Sequence, residues 1–334
     1  MHFVFLTALY LVFAEPAFAD ISPPSVMLVI ASLALYGASA VLVNDYFDIA
    51  SDKASGKERA IYYLYRRYVL LLFILLTFLG FASLIATGDL SSILLYWVTY
   101  TLALLYSVPP FRFKARGYMS LAVDVLIEKP LPVLLLFVYF KHFEIDTLVF
   151  VLLALAIHST VQVRHQLEDF EADVKTGVRT FVVEVGYERA RSLLYTYLFP
   201  ISAVLNILVL LLIALAVPYL ILMPVLAVIG YAVMKRLIAL RLYSQDRSRI
   251  PEWHRKEDVP MPSYYSYTFM WVTSACPVLM GVLAAAETVG WLPLLIVIIA
   301  SQYYYLHLHY VPLMRATLSA LRRLLGPSLR GANP

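Results

Sequence analysis

Asn44-Asp45-Tyr46-Phe47-Asp48-Ile49-Ala50-Ser51-Asp52 follows an apolar run, Ser25 to Val43, of the length and character of a membrane-crossing helix. If the helix continues through the stretch, Asp45, Asp48 and Asp52 fall at i, i+3 and i+7, on one face of two turns. Carboxylates this close repel one another, and a cation relieves the conflict. Carboxylate and amide oxygens at a membrane surface suit Mg2+, a hard ion that prefers a few carboxylates plus substrate phosphate oxygens. A solvated acidic helix end is the bland alternative for one such cluster. A second cluster weighs against it.

That second cluster is Asp169-Phe170-Glu171-Ala172-Asp173, again after a long apolar run, Leu148 to Val163. Asp169 and Asp173 stand at i and i+4 and are expected to share a face. Each cluster is followed by a small polar residue, a glycine and a basic residue. The first continues Asp52-Lys53-Ala54-Ser55-Gly56-Lys57-Glu58-Arg59, the second Asp173-Val174-Lys175-Thr176-Gly177-Val178-Arg179-Thr180. The pattern suggests an internal repeat. Two such groups facing each other could hold metal ions with a diphosphate between them.

The rest of the chain is membrane protein. Hydrophobic residues make up 62% and charged residues 14%, where a soluble domain carries roughly 25% charged. The expected fold is all-α, a polytopic helical bundle. Ten candidate spans can be drawn: 3–19, 23–43, 67–88, 90–108, 118–140, 144–163, 192–216, 218–234, 264–286 and 291–311. Ala17-Phe18-Ala19-Asp20 resembles a signal-peptide cleavage site. The segment lacks a basic start, however, and Glu15-Pro16 interrupts it, so a short or broken first helix is preferred. Cys276, the single cysteine, excludes a disulfide framework.

The basic residues order the spans. Lys53, Lys57, Arg59, Arg66 and Arg67 lie between spans two and three, and Arg112, Lys114 and Arg116 between four and five. Further sets lie between six and seven, between eight and nine, and in the tail; Lys141 alone falls on the other side. The positive-inside rule places both Asp clusters on the cytoplasmic side of what is expected to be the cell membrane. The chain reads as one domain, 1–334, with a long cytoplasmic loop at 235–262 and a cytoplasmic tail at 312–334. The net charge of +4 is modest, and no nucleic-acid partner is expected.

Tyr106-Ser107-Val108-Pro109-Pro110-Phe111-Arg112-Phe113-Lys114-Ala115-Arg116-Gly117 follows span four. The prolines stop the helix. Arg112, Lys114 and Arg116 alternate with apolar residues, so they could point one way and clamp a diphosphate through charge-assisted hydrogen bonds. Positive-inside anchoring is the competing explanation. Asp124, Glu128 and Lys129 lie within span five, where ionisable groups usually face a cavity or each other. They could line an acceptor or diphosphate pocket, or lie at the interface if the span begins late. The many Tyr and Phe residues fit an aromatic belt or an apolar tunnel equally well. His307 and His309 read as interfacial.

The pattern Asn44-Asp45-x-x-Asp48-x-x-x-Asp52, the Tyr106 to Lys114 loop, and Asp169-x-x-x-Asp173 resembles the UbiA superfamily of intramembrane prenyltransferases. The resemblance runs from span two through span eight. It implies about nine helices around a central cavity, with a Mg2+-bound prenyl diphosphate at the cytoplasmic mouth and a hydrophobic acceptor. It further implies metal binding by Asn44, Asp45, Asp48, Asp52, Asp169 and Asp173. Tyr106, Arg112 and Lys114 would match the diphosphate-binding loop, with Lys53, Arg59, Lys175 and Arg179 as further diphosphate contacts. Two departures stand out. Charge alternation favours a tenth helix, and Val174 occupies the place where the family often carries a basic residue. A terpene cyclase-like enzyme that ionises a prenyl diphosphate, or a cation-coupled transporter, are the alternatives. Transporters place ionisable groups near the midplane on broken helices, whereas these clusters sit at helix ends.

Overall fold

The computed structural model describes residues 1–14, 21–54, 60–222 and 259–305, with positions 225, 229 and 232. Twelve helices are described: α1 His2–Ala14, α2 Pro23–Ala54, α3 Arg66–Ile85, α4 Leu90–Ser107, α5 Tyr118–Glu128, α6 Pro130–Phe140, α7 Ile145–Glu168, α8 Phe170–Thr176, α9 Phe181–Val185, α10 Tyr187–Ala216, α11 Tyr264–Glu287 and α12 Leu292–Tyr305. No strand occurs among the described residues. Six helices, α2, α3, α4, α7, α10 and α11, are long and apolar enough to cross a membrane. The chain is an integral membrane protein with an all-helical fold. Span 218–234 and loop 235–262 lie largely outside the described residues, as do Arg59, His307, His309 and the tail.

The hydrophobic residues divide by what they face. Leu70, Leu71, Ile74, Leu75 and Phe78 of α3 are exposed, the disposition of a lipid-facing surface. A continuous core joins Leu9 of α1, Leu33 of α2, Tyr96 of α4, Leu136 of α6, Phe150 of α7 and Met280 of α11. Several tyrosines belong to this core. Tyr96 donates to the Ser32 carbonyl at 3.1 Å and Tyr100 to Ser39 Oγ at 3.0 Å, tying α4 to α2. Cys276 is buried and free, as a packing residue would be.

Span five differs from expectation. It is two helices, α5 and α6, broken at Lys129 (φ −135°, ψ −52°) just before Pro130. Proline has no N–H and restricts the residue before it, so the ladder stops there. Tyr36 of α2 donates to the Ile127 carbonyl beside the break at 3.0 Å. The helix begins at Tyr118, so Asp124 lies well inside it and is buried.

Contacts fix which helix ends share a face. Ser107, at the end of α4, donates to Asn44 near the end of α2 at 3.2 Å. Gly117, just before α5, donates to the Arg179 carbonyl beyond α8 at 2.6 Å, and the Tyr118 and Phe181 rings meet edge to face at 5.5 Å. The ends of α2, α4 and α7 therefore gather with the start of α5 at one end of the bundle. At the other end Lys141 reaches Asp89, and Tyr10 donates to Asp146 at 2.5 Å.

Candidate active site

The first acidic stretch is helical throughout, because α2 runs on to Ala54. Asp45, Asp48 and Asp52 thus share the face their spacing predicts. The loop after α4 comes down on this face. Lys114 Nζ donates to Asn44 Oδ1 at 3.0 Å and is ion-paired with Asp48. Arg112 Nη2 reaches Asp48 Oδ1 at 3.3 Å. Burial pulls the Lys114 ammonium below the ordinary lysine value, and the Asp48 carboxylate opposes that shift.

The loop does not alternate as an extended segment would. Phe113–Ala115 is a 3-10 turn, entered through Arg112 at φ +39°. Arg112 and Lys114 consequently reach Asp48, while Arg116 folds back, donating to the Pro110 carbonyl at 2.8 Å and lying over the Phe113 ring. The expected one-sided row of three cations is a pair.

The second acidic stretch is bent. Asp169 caps the end of α7, and α8 starts after it, with the Asp173 amide donating to the Asp169 carbonyl at 2.9 Å. That i to i+4 bond keeps the two residues on one turn, sharing a face as their spacing predicts, while the break between α7 and α8 falls at Asp169 itself. Gly177, at φ +71°, closes α8, a left-handed position that glycine fills without strain. Beneath the corner, Phe181 and Val182 of α9 pack on Val163 and Leu167, and Gln166 accepts from the Val182 amide at 3.2 Å. Arg164 pairs with Glu168 at 2.8 Å and donates to the Val259 carbonyl, anchoring the chain that enters α11.

The remaining basic candidates are spread out. Lys53 is exposed and lies over the Tyr62 ring at 5.3 Å, on a different face of α2 from the aspartates. Lys175 is exposed in the last turn of α8. The Arg179 side chain is exposed and reaches Glu184 at 4.0 Å. Its backbone is the joint to Gly117, which ties the end of the cationic loop to the chain beyond Asp173.

Deeper in the bundle, Tyr106 lies near Asp124. Asp124 Oδ2 meets His158 Nε2 at 3.0 Å, and His158 Nδ1 meets Lys129 Nζ at 3.1 Å. Asp124 and Lys129 are thus joined through α7, while Glu128 is exposed at the break. His158 was not singled out by the sequence reading. An ionisable residue inside the Leu148 to Val163 run was the available signal.

Among the described residues no three His, Cys, Asp or Glu side chains stand close enough to hold a metal unaided. The donor chemistry nevertheless fits Mg2+, which keeps waters and binds through one or two carboxylates plus phosphate oxygens. Arg112 Nε is buried without a hydrogen-bond partner among the described residues, a donor that a phosphate oxygen would satisfy.

The sequence profile of the UbiA prenyltransferase family matches residues 3–253, most of the chain and all the residues above up to the loop before α11. The chain belongs to the UbiA prenyltransferase family. No curated protein matches it. Two solved structures share its fold, both of a UbiA homolog from Archaeoglobus fulgidus, one bound to DMAPP and Mg2+. Each is 20% identical, covers 81% of this chain and 95% of that one, and superposes with a TM-score of 0.50. Membership of the UbiA family supports a prenyltransferase-type activity.

Proposed function

We propose that this UbiA-family protein is a Mg2+-dependent membrane prenyltransferase, a single domain that moves a prenyl group from an allylic prenyl diphosphate to an aromatic or lipid acceptor. The observation that carries the reading is the Arg112–Lys114 turn, which faces Asn44 and Asp48 and is joined through Gly117 to the segment after Asp173. The binding of DMAPP and Mg2+ by the Archaeoglobus homolog supports the same reading.

Asn44, Asp45, Asp48 and Asp52 would hold metal from one side and Asp169 and Asp173 from the other. The bound metal supplies positive charge that stabilises the leaving diphosphate as the allylic C–O bond breaks. Lys114 and Arg112 turn from Asp48 to the diphosphate oxygens and add donors to the same charge. Asp48 is released to its metal role by that exchange, so no carboxylate is left unpaired. Tyr106 lies between this cluster and Asp124 and orients the first part of the prenyl chain. The apolar helix walls keep water from the allylic cation until the acceptor attacks. The acidic end faces the cytoplasm, consistent with its concentration of Lys and Arg.

The test is an assay of detergent-purified protein with Mg2+, labelled prenyl diphosphates of several lengths and a panel of aromatic and lipid acceptors. Metal-dependent transfer to at least one acceptor is the expected result. Metal-dependent consumption of the diphosphate that yields only cyclised hydrocarbon would favour a cyclase.

A further inference from the structure

A cavity of about 550 Å³ opens between α2 and α3 at the basic end of the bundle. We propose that it binds the phosphate headgroup of an anionic phospholipid, with the acyl chains running along α3. Tyr46, Ile49 and Lys53 of α2, Tyr62 of the connecting turn, and Arg66 and Val69 of α3 line it.

The helical register separates this cavity from the acidic face. At 3.6 residues per turn, the face carrying Tyr46, Ile49, Ala50 and Lys53 is rotated by roughly 100° from the one carrying Asp45, Asp48 and Asp52. No carboxylate is found among the described lining residues. Two cations enter from two different helices. Lys53 lies 5.3 Å from the Tyr62 ring and Arg66 lies 5.5 Å from the Tyr46 ring. Both hold their charged ends over the aromatic faces that line the cavity.

The remaining walls select an amphiphile over a soluble anion. Ile61 and Val69 form a buried apolar floor. Outside the mouth, Leu70, Leu71 and Ile74 continue down the exposed side of α3, while Tyr63, Tyr65 and Tyr68 stand exposed at its head like an interfacial belt. An anionic headgroup held by Lys53 and Arg66 therefore leads its chains onto apolar surface already facing lipid. Basic pockets between helices at this depth are suited to acidic phospholipids.

The experiment is native mass spectrometry of the detergent-purified full chain titrated with phosphatidylglycerol or phosphatidylcholine of identical acyl chains. Phosphatidylglycerol should be retained at least about tenfold more tightly, at roughly fivefold per cation. Arg66→Gln, an exposed substitution that leaves the fold intact, should lower that preference about fivefold. Ala50→Trp, which fills the cavity, should remove it, and Arg66→Gln carries the test alone if Ala50→Trp does not fold. Millimolar inorganic phosphate should leave the lipid in place. Equal retention of the two lipids, an unchanged preference in Arg66→Gln, or displacement by inorganic phosphate would each overturn the proposal.

Discussion

Lys114 and Asp48, in two separate segments of the chain, form an ion pair in which both side chains are largely shielded from solvent. Removing one partner of such a pair leaves a poorly solvated charge, which costs more than removing both. Lys114→Met should therefore lower stability by about 1–3 kcal/mol, and the double variant Lys114→Met/Asp48→Asn should recover part of the loss. A thermal-shift double-mutant cycle in detergent checks this; additive losses would show that the two groups are not coupled.

Gly117 joins the cationic turn to the second acidic segment. Its φ of +52° disfavours a side chain, and an added Cβ would lie 1.3 Å from Glu184 Oε2. Gly117→Ala should break the hydrogen bond to the Arg179 carbonyl or displace Glu184, at a cost of about 2 kcal/mol. The melting temperature should fall by several degrees, and the apparent affinity for prenyl diphosphate should fall with it. Wild-type values for both would mean that the joint does not position the loop.

His158 bridges Asp124 and Lys129 inside the bundle. His158→Phe keeps volume but removes the imidazole that Asp124 and Lys129 share, and should cost about 2 kcal/mol. Thermal unfolding in detergent measures it. A neutral outcome would show that water or Glu128 replaces the imidazole.

At the opposite end, Asp89 caps α4 and receives Lys141. Burial alone would raise its pKa, but hydrogen bonds from Lys141 and from the Ser92 side chain and amide hold it below the usual 3.8. A carboxyl lowered in the folded state stabilises above its unfolded pKa, and that contribution disappears as pH falls through the folded value. Asp89→Asn keeps a capping side chain but loses the charged contact with Lys141. The stability gap from wild type, up to about 1 kcal/mol, should persist at neutral pH and close below roughly pH 4. A gap independent of pH would assign the effect to packing.

How much of this was legible beforehand depended on periodicity. Asp45, Asp48 and Asp52 were placed on one face correctly because α2 continues unbroken. Asp169 and Asp173 share a turn as their i, i+4 spacing implies, but the break at Asp169 that separates α7 from α8 leaves no proline or glycine mark in the sequence. The break at Lys129 had its mark, Pro130, but an apolar run on both sides hid it. Alternation in Arg112-Phe113-Lys114-Ala115-Arg116 suggested three aligned cations, whereas a single 3-10 turn redirects Arg116. Whether a given tyrosine belonged to the core could not be read locally. Tyr96 and Tyr100 are buried because of what α2 places opposite them.

The central claim is that two acidic segments act on one metal-bound diphosphate. Its most direct test compares Mg2+-dependent release of diphosphate from a labelled allylic prenyl diphosphate by wild type, Asp48→Asn and Asp169→Asn, each checked for membrane insertion and thermal stability. Both variants should lose turnover while remaining folded and inserted. Wild-type-like rates in either folded variant would contradict the account.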